Sequence, residues 1–364
     1  MTRRVAAVAV LGVLAAGCQV GPAADRAERE ADASTDGSPE EDLPGGNGSD
    51  DPARPGDPTE EPAPGPTPAP ATGGATDTGT RIDGLGAACC VAALPDSEDM
   101  LVGSGDTISL LDADGDGSLT PLGQLPGELL GLAVPGRATG SYVSVYVFYA
   151  GPDGGQIASY PFFPNQDWAP WGESPTILLD EPVPLSGTGT RDGGALAFGP
   201  DGALYAGTGD AGDPAAAEDP ESWNGKILRV DPNGSDPPVI HSTGPYTDIR
   251  GLAWDEDRMW AVDAGADGGA RLFSVTPGGA PIEVEMTGAA EVTPAGLAAS
   301  EGSLWLPAAD SGELWRIPLN GSNGLVADPQ SVLDLGEPRG ILPTAGSSDL
   351  WALAGGSLRR LSVD

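Results

Sequence analysis

Three arginines are the first candidates for chemistry. Arg191, Arg250 and Arg339 each stand immediately before a short phrase of small and apolar residues. A guanidinium keeps its proton at any physiological pH and presents a planar fork of donors. Three of them aimed at one place would grip a carboxylate or phosphate bidentately. The competing arrangement pairs each with a neighbour, because Asp192, Asp210, Asp248 and Glu337 lie close by in sequence. There is one histidine, His241, so no mechanism or metal site can rest on two imidazoles. It lies ten residues before Gly251, where the fourth phrase begins, and reads as a surface or edge imidazole. Asp112, Asp114 and Asp116 have the one-three-five spacing of a calcium loop, with Gly117 following. The twelfth position is Gly123 and not an acid, so a calcium site and a plain polar turn both stay open. Cys89 and Cys90 are adjacent. Neighbours on a strand point to opposite faces, so they are either separate thiols or a strained vicinal bridge.

Composition narrows the partners. The 364 residues include 54 acidic and 17 basic side chains, for a net charge of -37, and Lys226 is the one lysine. No basic stripe exists to neutralise phosphates, so nucleic-acid binding is excluded and an anionic membrane surface would repel the chain. The 56 glycines and 37 prolines imply many turns, disorder, or both.

Residues 1–18 read as an address. Arg3 and Arg4 precede the apolar run from Val5 to Ala16, too short for a permanent membrane span. Leu14-Ala15-Ala16-Gly17-Cys18 resembles the bacterial lipobox, which implies cleavage before Cys18 and diacylation of its thiol. The expectation is an extracytoplasmic protein held to the cell membrane by that lipid. Residues 19–80 read as a disordered tether: between Gly21 and Thr80 the one large apolar side chain is Leu43. Such a segment buries too little apolar surface to offset its ordering entropy.

The rest of the chain, 81–364, carries a repeat. Phrases begin at Cys90, Gly131, Gly194, Gly251, Gly296 and Gly340, spaced by 41, 63, 57, 45 and 44 residues. Each is followed by a turn and a second strand, such as Ala203-Leu204-Tyr205-Ala206 or Ser303-Leu304-Trp305-Leu306, and then by a third, such as Glu313-Leu314-Trp315-Arg316-Ile317. Period-two alternation and a four-stranded spacing predict an all-β, six-bladed propeller. Candidate outer strands follow the first five blades, at 119–125, 175–180, 238–242, 282–286 and 331–335. The sixth has none, so a strand from about Arg81 to Leu85 should complete it and protect its edge. Residues preceding the inner strands would then converge on one end of the channel, and a monomer is expected.

Gly193-Gly194-Ala195-Leu196-Ala197-Phe198-Gly199-Pro200-Asp201-Gly202, with Thr208-Gly209-Asp210 and Gly225-Lys226-Ile227-Leu228-Arg229-Val230-Asp231-Pro232, resembles the soluble glucose/sorbosone (aldose sugar) dehydrogenases. The resemblance implies pyrroloquinoline quinone (PQQ) and calcium over the mouth of a six-bladed propeller, and a histidine that removes a sugar proton as hydride leaves. In this chain the histidine position is Arg191, which cannot act as a base, and the carboxylate that orients the histidine is matched by Asp210. An Arg191–Asp210 ion pair should replace that dyad. The family's Arg-Asn pair falls on Thr247 and Asp248, its Glu-His on Asp263 and Ala264, and of two arginines in the last blade one becomes Glu337 and the other stays as Arg339. The ligand-facing set is therefore Arg191, Asp210, Asp248, Arg250, Asp263 and Arg339. Three functions stay open: a propeller that has lost catalysis and binds a small, anionic ligand or a partner; an active PQQ- and calcium-dependent sugar dehydrogenase; and a cell-envelope interaction module.

Overall fold

All six phrases lie in the innermost strand of a four-stranded antiparallel sheet, or lead directly into it. A computed structural model describes residues 67–364 apart from 114, 139, 167–170 and 173. The signal, Cys18, most of the expected tether, and Asp114 lie outside the described residues. Blade one runs outward through Cys90–Ala93, Met100–Ser104, Thr107–Leu111 and Leu119–Gln124. Blades two to five begin with Glu128–Ala133, Gly193–Phe198, Ile249–Asp255 and Ala298–Ser300. Blade six is Pro338–Pro343, Leu350–Ala354 and Ser357–Val363, with Ala75–Ile82 as its outer strand.

The apolar residues divide into six clusters, and each cluster joins one blade to the next. Leu101, Ile108, Leu129 and Val145 fill the gap between blades one and two, and Trp260, Leu272, Leu304 and Ile317 the gap between four and five. Leu85, Met100, Val102, Trp351 and Leu353 fill the last gap, between six and one. A blade thus buries both faces, which is why its middle strands read as runs such as Leu350-Trp351-Ala352-Leu353-Ala354 and not as alternation. Trp260 and Trp305 are fully buried in this packing, and a buried side chain of that size contributes upward of about 2 kcal/mol.

Ring closure comes earlier in the chain than the expected 81–85. The outer strand of blade six starts at Ala75, with Ala75 opposite Val363 and Ile82 opposite Leu358. Its Thr76, Thr78 and Thr80 are β-formers without large apolar side chains, so composition alone cannot tell them from tether. Just before it, residues 69–74 form a strap across blade five. Ala69 N–H donates to Leu319 O at 2.9 Å, Arg316 Nη2 to Pro70 O at 3.0 Å, and Gln330 Nε2 to Ala71 O at 2.7 Å. Gly74 N–H then meets the Asp364 carboxylate at 2.6 Å. The other outer strands lie close to expectation, although that of blade two is only Thr176–Ile177.

Inner strands approach one another through glycine. A Cβ on Gly131 would stand 2.0 Å from Gly194 O of the next blade, whereas one on Gly340 finds nothing nearer than Cys89 O at 4.0 Å. Neither glycine needs a positive φ, so the two positions differ in space alone. Gly131→Ala is expected to cost about 1–3 kcal/mol through forced separation of blades two and three, and Gly340→Ala less than about 0.5 kcal/mol. Paired urea denaturation curves measure both; equal losses would mean that inner-strand contact does not limit the ring.

Candidate functional site

The inner strands start at one end of the channel, and the second strands end there, so these two sets of residues build a single mouth. In blades two, three, four and six the register slips once at the very start of the inner strand: between Leu129 and Gly131, Gly193 and Ala195, Ile249 and Gly251, and Pro338 and Gly340. A bulge releases one residue from the ladder and re-aims its side chain. Arg250 and Arg339 are the residues released in blades four and six, and both are exposed.

Arg191 precedes the bulge of blade three with φ +62°, a left-handed conformation unusual for a side chain of this kind. That turn brings its Nη2 onto Asp210 Oδ2, forming the expected ion pair. Asp210 is 2 % exposed. Its other oxygen accepts from Gly212 N–H at 2.8 Å, while its own N–H donates to Thr247 O of blade four. Gly209 is obligatory here, because a Cβ would fall 1.9 Å from Arg191 O. The loop after Asp210 holds a short helix, Pro214–Glu218, capped by Asp213. Lys226, fully buried, fixes that helix by donating to Ala217 O at 2.5 Å and Asn224 O at 2.8 Å, and burial pushes its pKa down.

Two more carboxylates tie blade three to blade four. Asp248 Oδ1 accepts from Gly193 N–H at 2.9 Å, and its Oδ2 takes both Nε and Nη2 of Arg250 at 2.9 and 2.5 Å. Burial pushes the Asp248 pKa up, and the Arg250 charge works against that. Asp263 is fully buried, and its Oδ1 accepts from the N–H groups of Thr247 and Asp248 at 2.9 and 2.6 Å. It clamps the loop that carries Asp248 and does not face the opening. Its Oδ2 has no hydrogen bond; the nearest cation, Arg271, stands 3.7 Å away and is engaged bidentately by Glu283. Burial with so incomplete a partner raises the Asp263 pKa to about 7.

The other candidates lie elsewhere. His241 is on Val239–Thr243, the outer strand of blade three, where its ring meets the edge of Tyr205 and burial lowers its pKa. Asp112 Oδ1 accepts from Gly115 N–H and Asp116 Oδ1 from Ser118 N–H, so both cap their own turn. Among the described residues no three acidic, histidine or cysteine side chains are grouped to hold a metal ion. Arg339 has no carboxylate partner within ion-pair distance among the described residues. Cys89 and Cys90 depart from the expected alternation. Cys89 N–H donates to Gly103 O, and Cys90 is also paired with Gly103, so two residues oppose one as in the other bulges and their side chains share a side. Sequence reasoning missed this crowding; the signal was the alignment of Cys90 with the glycines that open the other five phrases.

Two outcomes follow from this geometry. Arg191→Met leaves the buried Asp210 carboxylate without its cation and is expected to cost about 3 kcal/mol, much of it recovered in the double variant with Asp210→Leu; denaturant unfolding of the four proteins closes that cycle. Asp263 holds its proton in the fold up to about pH 7 and releases it near pH 4 when unfolded, so its share of stability falls as pH rises through that window. Asp263→Asn keeps both accepted hydrogen bonds and should overtake the parent by about 2 kcal/mol between pH 5 and 8. Thermal midpoints of both proteins across that range, if parallel, would refute the assignment.

Comparison with known proteins agrees with this architecture. The glucose/sorbosone dehydrogenase family model matches residues 124–280. The PQQ-bound form of aldose sugar dehydrogenase from Streptomyces coelicolor is 31% identical, with 81% of this chain and 100% of that chain covered and a TM-score of 0.71. An oxidoreductase (glucose dehydrogenase) from Thermus thermophilus is 22% identical, with 80% and 100% covered and a TM-score of 0.65. The apo-form of the soluble aldose sugar dehydrogenase from Escherichia coli is 17% identical, with 80% and 99% covered and a TM-score of 0.62. No curated protein matches the chain. Six blades, a shared mouth and this similarity over four-fifths of the sequence place the chain in the glucose/sorbosone dehydrogenase family.

Proposed function

We propose that this propeller has lost sugar oxidation and binds a small anionic ligand at its mouth. The observation that carries the reading is the Arg191–Asp210 ion pair, formed where the family resemblance calls for a histidine and its carboxylate. A guanidinium cannot accept the proton of a sugar hydroxyl. Asp263, whose pKa lies near neutrality, offers no substitute, because it is shut away from the opening.

The fit of PQQ points the same way. A tricarboxylate needs uncommitted cations, and two of the three arginines are already held by carboxylates that are 2 % and 4 % exposed. Drawing either arginine away would strand a buried charge at several kcal/mol. The residues present do not fit that cofactor, and among the described residues no three acidic, histidine or cysteine side chains are grouped to hold calcium beside it. A smaller anion asks less. Among the described residues Arg339 is free of a carboxylate, and Arg250 keeps 40 % of its side chain exposed while bound to Asp248. The Leu14–Cys18 motif supports a lipid-anchored, extracytoplasmic location for this site.

A second reading, an active PQQ- and calcium-dependent aldose dehydrogenase, is favoured by the 31% identity to the PQQ-bound Streptomyces enzyme. Reconstitution with PQQ and calcium, followed by dye-linked oxidation of a panel of aldoses, separates the two. No turnover is expected from the parent or from Arg191→His, and cofactor-dependent turnover by the parent would establish the second reading. Calorimetric titration with citrate is expected to show binding that weakens roughly tenfold in Arg339→Ala, the loss of one charge-assisted contact.

A further inference from the structure

We propose that Cys89 and Cys90 form a two-electron redox site at the channel mouth, closing into a vicinal disulfide by exchange with a small disulfide compound. The two sulfurs are 2.6 Å apart. That is far inside the roughly 3.5–4 Å at which unbonded heavy atoms rest, and a short movement from the ~2.05 Å of a sulfur–sulfur bond. The bulge against Gly103 creates this approach, since on a regular strand the two side chains would face apart. Blade one is also where the ring departs from its own pattern. In register, the place held by Cys90 is glycine in blades two, four and six, at 131, 251 and 340, and Ala195 in blade three. Here the position holds a second sulfur, packed near Leu130 O at 3.8 Å, while Cys89 Sγ lies near Gly103 O and Leu129 O at 3.5 and 3.7 Å.

The two thiols differ in a way that assigns the steps. The hydrogen bond from Cys90 holds the Cys89 thiol below its ordinary pKa, against burial and the Glu128 charge, with a smaller contribution from Arg339. The same contact and partial burial push Cys90 well above its ordinary value. Cys89 is therefore the attacking thiolate. It bonds to one sulfur of the small disulfide and expels the first thiol. Cys90 then bonds to the Cys89 sulfur and expels the second. Two cysteine thiols become one sulfur–sulfur bond, and the small disulfide leaves as two thiols carrying the two electrons and two protons. Adjacent Cα atoms stand about 3.8 Å apart, below the usual disulfide range. The bond is consequently strained and readily reopened, which suits a reversible site and not a structural staple.

The test incubates the full chain with oxidised glutathione, quenches with acid and an alkylating agent, and weighs the peptide that contains both residues. The expected product is lighter by two hydrogens than the dithiol peptide and carries no glutathione. A glutathione mixture that leaves an unstrained structural disulfide closed should reopen it. Cys90→Ser, unable to complete the second step, should accumulate glutathione on Cys89, and Cys89→Ser should react roughly tenfold more slowly through the less acidic Cys90. Parent protein that alkylates equally at both residues with and without oxidised glutathione would overturn the proposal, as would a stable glutathione adduct on the parent. Should Cys90→Ser fail to fold, the mass of the parent peptide decides alone.

Discussion

Everything at the mouth depends on how closely six inner strands can approach one another. A single four-stranded blade has two apolar faces and can cover neither alone, so its stability exists only in the ring. The blades must converge, and at their starting ends backbone meets backbone: Gly131 against Gly194 O, Gly251 against Leu297 N, Gly296 near Ile341 N. Where a side chain cannot fit inward, the bulge turns the neighbouring residue outward. The same constraint that closes the channel therefore decides which residues it presents.

Electrostatics then fills what packing leaves. Blades three and four meet through carboxylates: Asp210 reaches back to Arg191, Asp248 spans from Gly193 N–H to Arg250, and Asp263 holds the Thr247–Asp248 backbone. In a chain of net charge -37, where acids outnumber bases three to one, an arginine at this mouth meets a carboxylate before it meets a ligand. Asp263 shows the cost. With Arg271 committed to Glu283, its second oxygen is left unpartnered.

The propeller was legible because its physics repeats. Five glycines and Cys90 recur at the starts of the inner strands, and Leu-Trp or Leu-Tyr follows where both faces of a blade are covered, so spacing alone counted the blades. Arg191 and Asp210 were legible as a pair through the family motif around Gly193–Asp201 and Thr208–Asp210. What escaped was what has no period. The strap at 69–74 is written in Pro, Ala, Thr and Gly, a composition identical to tether, and only its hydrogen bonds to blade five distinguish it. Asp263 passes for a ligand contact in sequence, because a linear motif gives position along a strand and not depth. The Cys89–Cys90 contact required a register slip that no local rule reveals.

The strap also governs how load enters the molecule. Tension applied through the residues before 67 does not fall first on Ala75–Ile82, the strand that shuts the ring. It meets Ala69 against Leu319, Pro70 against Arg316 and Ala71 against Gln330, three contacts loaded in series on a different blade. Arg316 is fully buried, and its Nε and Nη1 lack other partners, so peeling the strap would bare a charged group that has settled beneath it. The arrangement works as the clamp on a cable does: a pull at one end is spent at the edge of the fold, and the seam behind it stays closed.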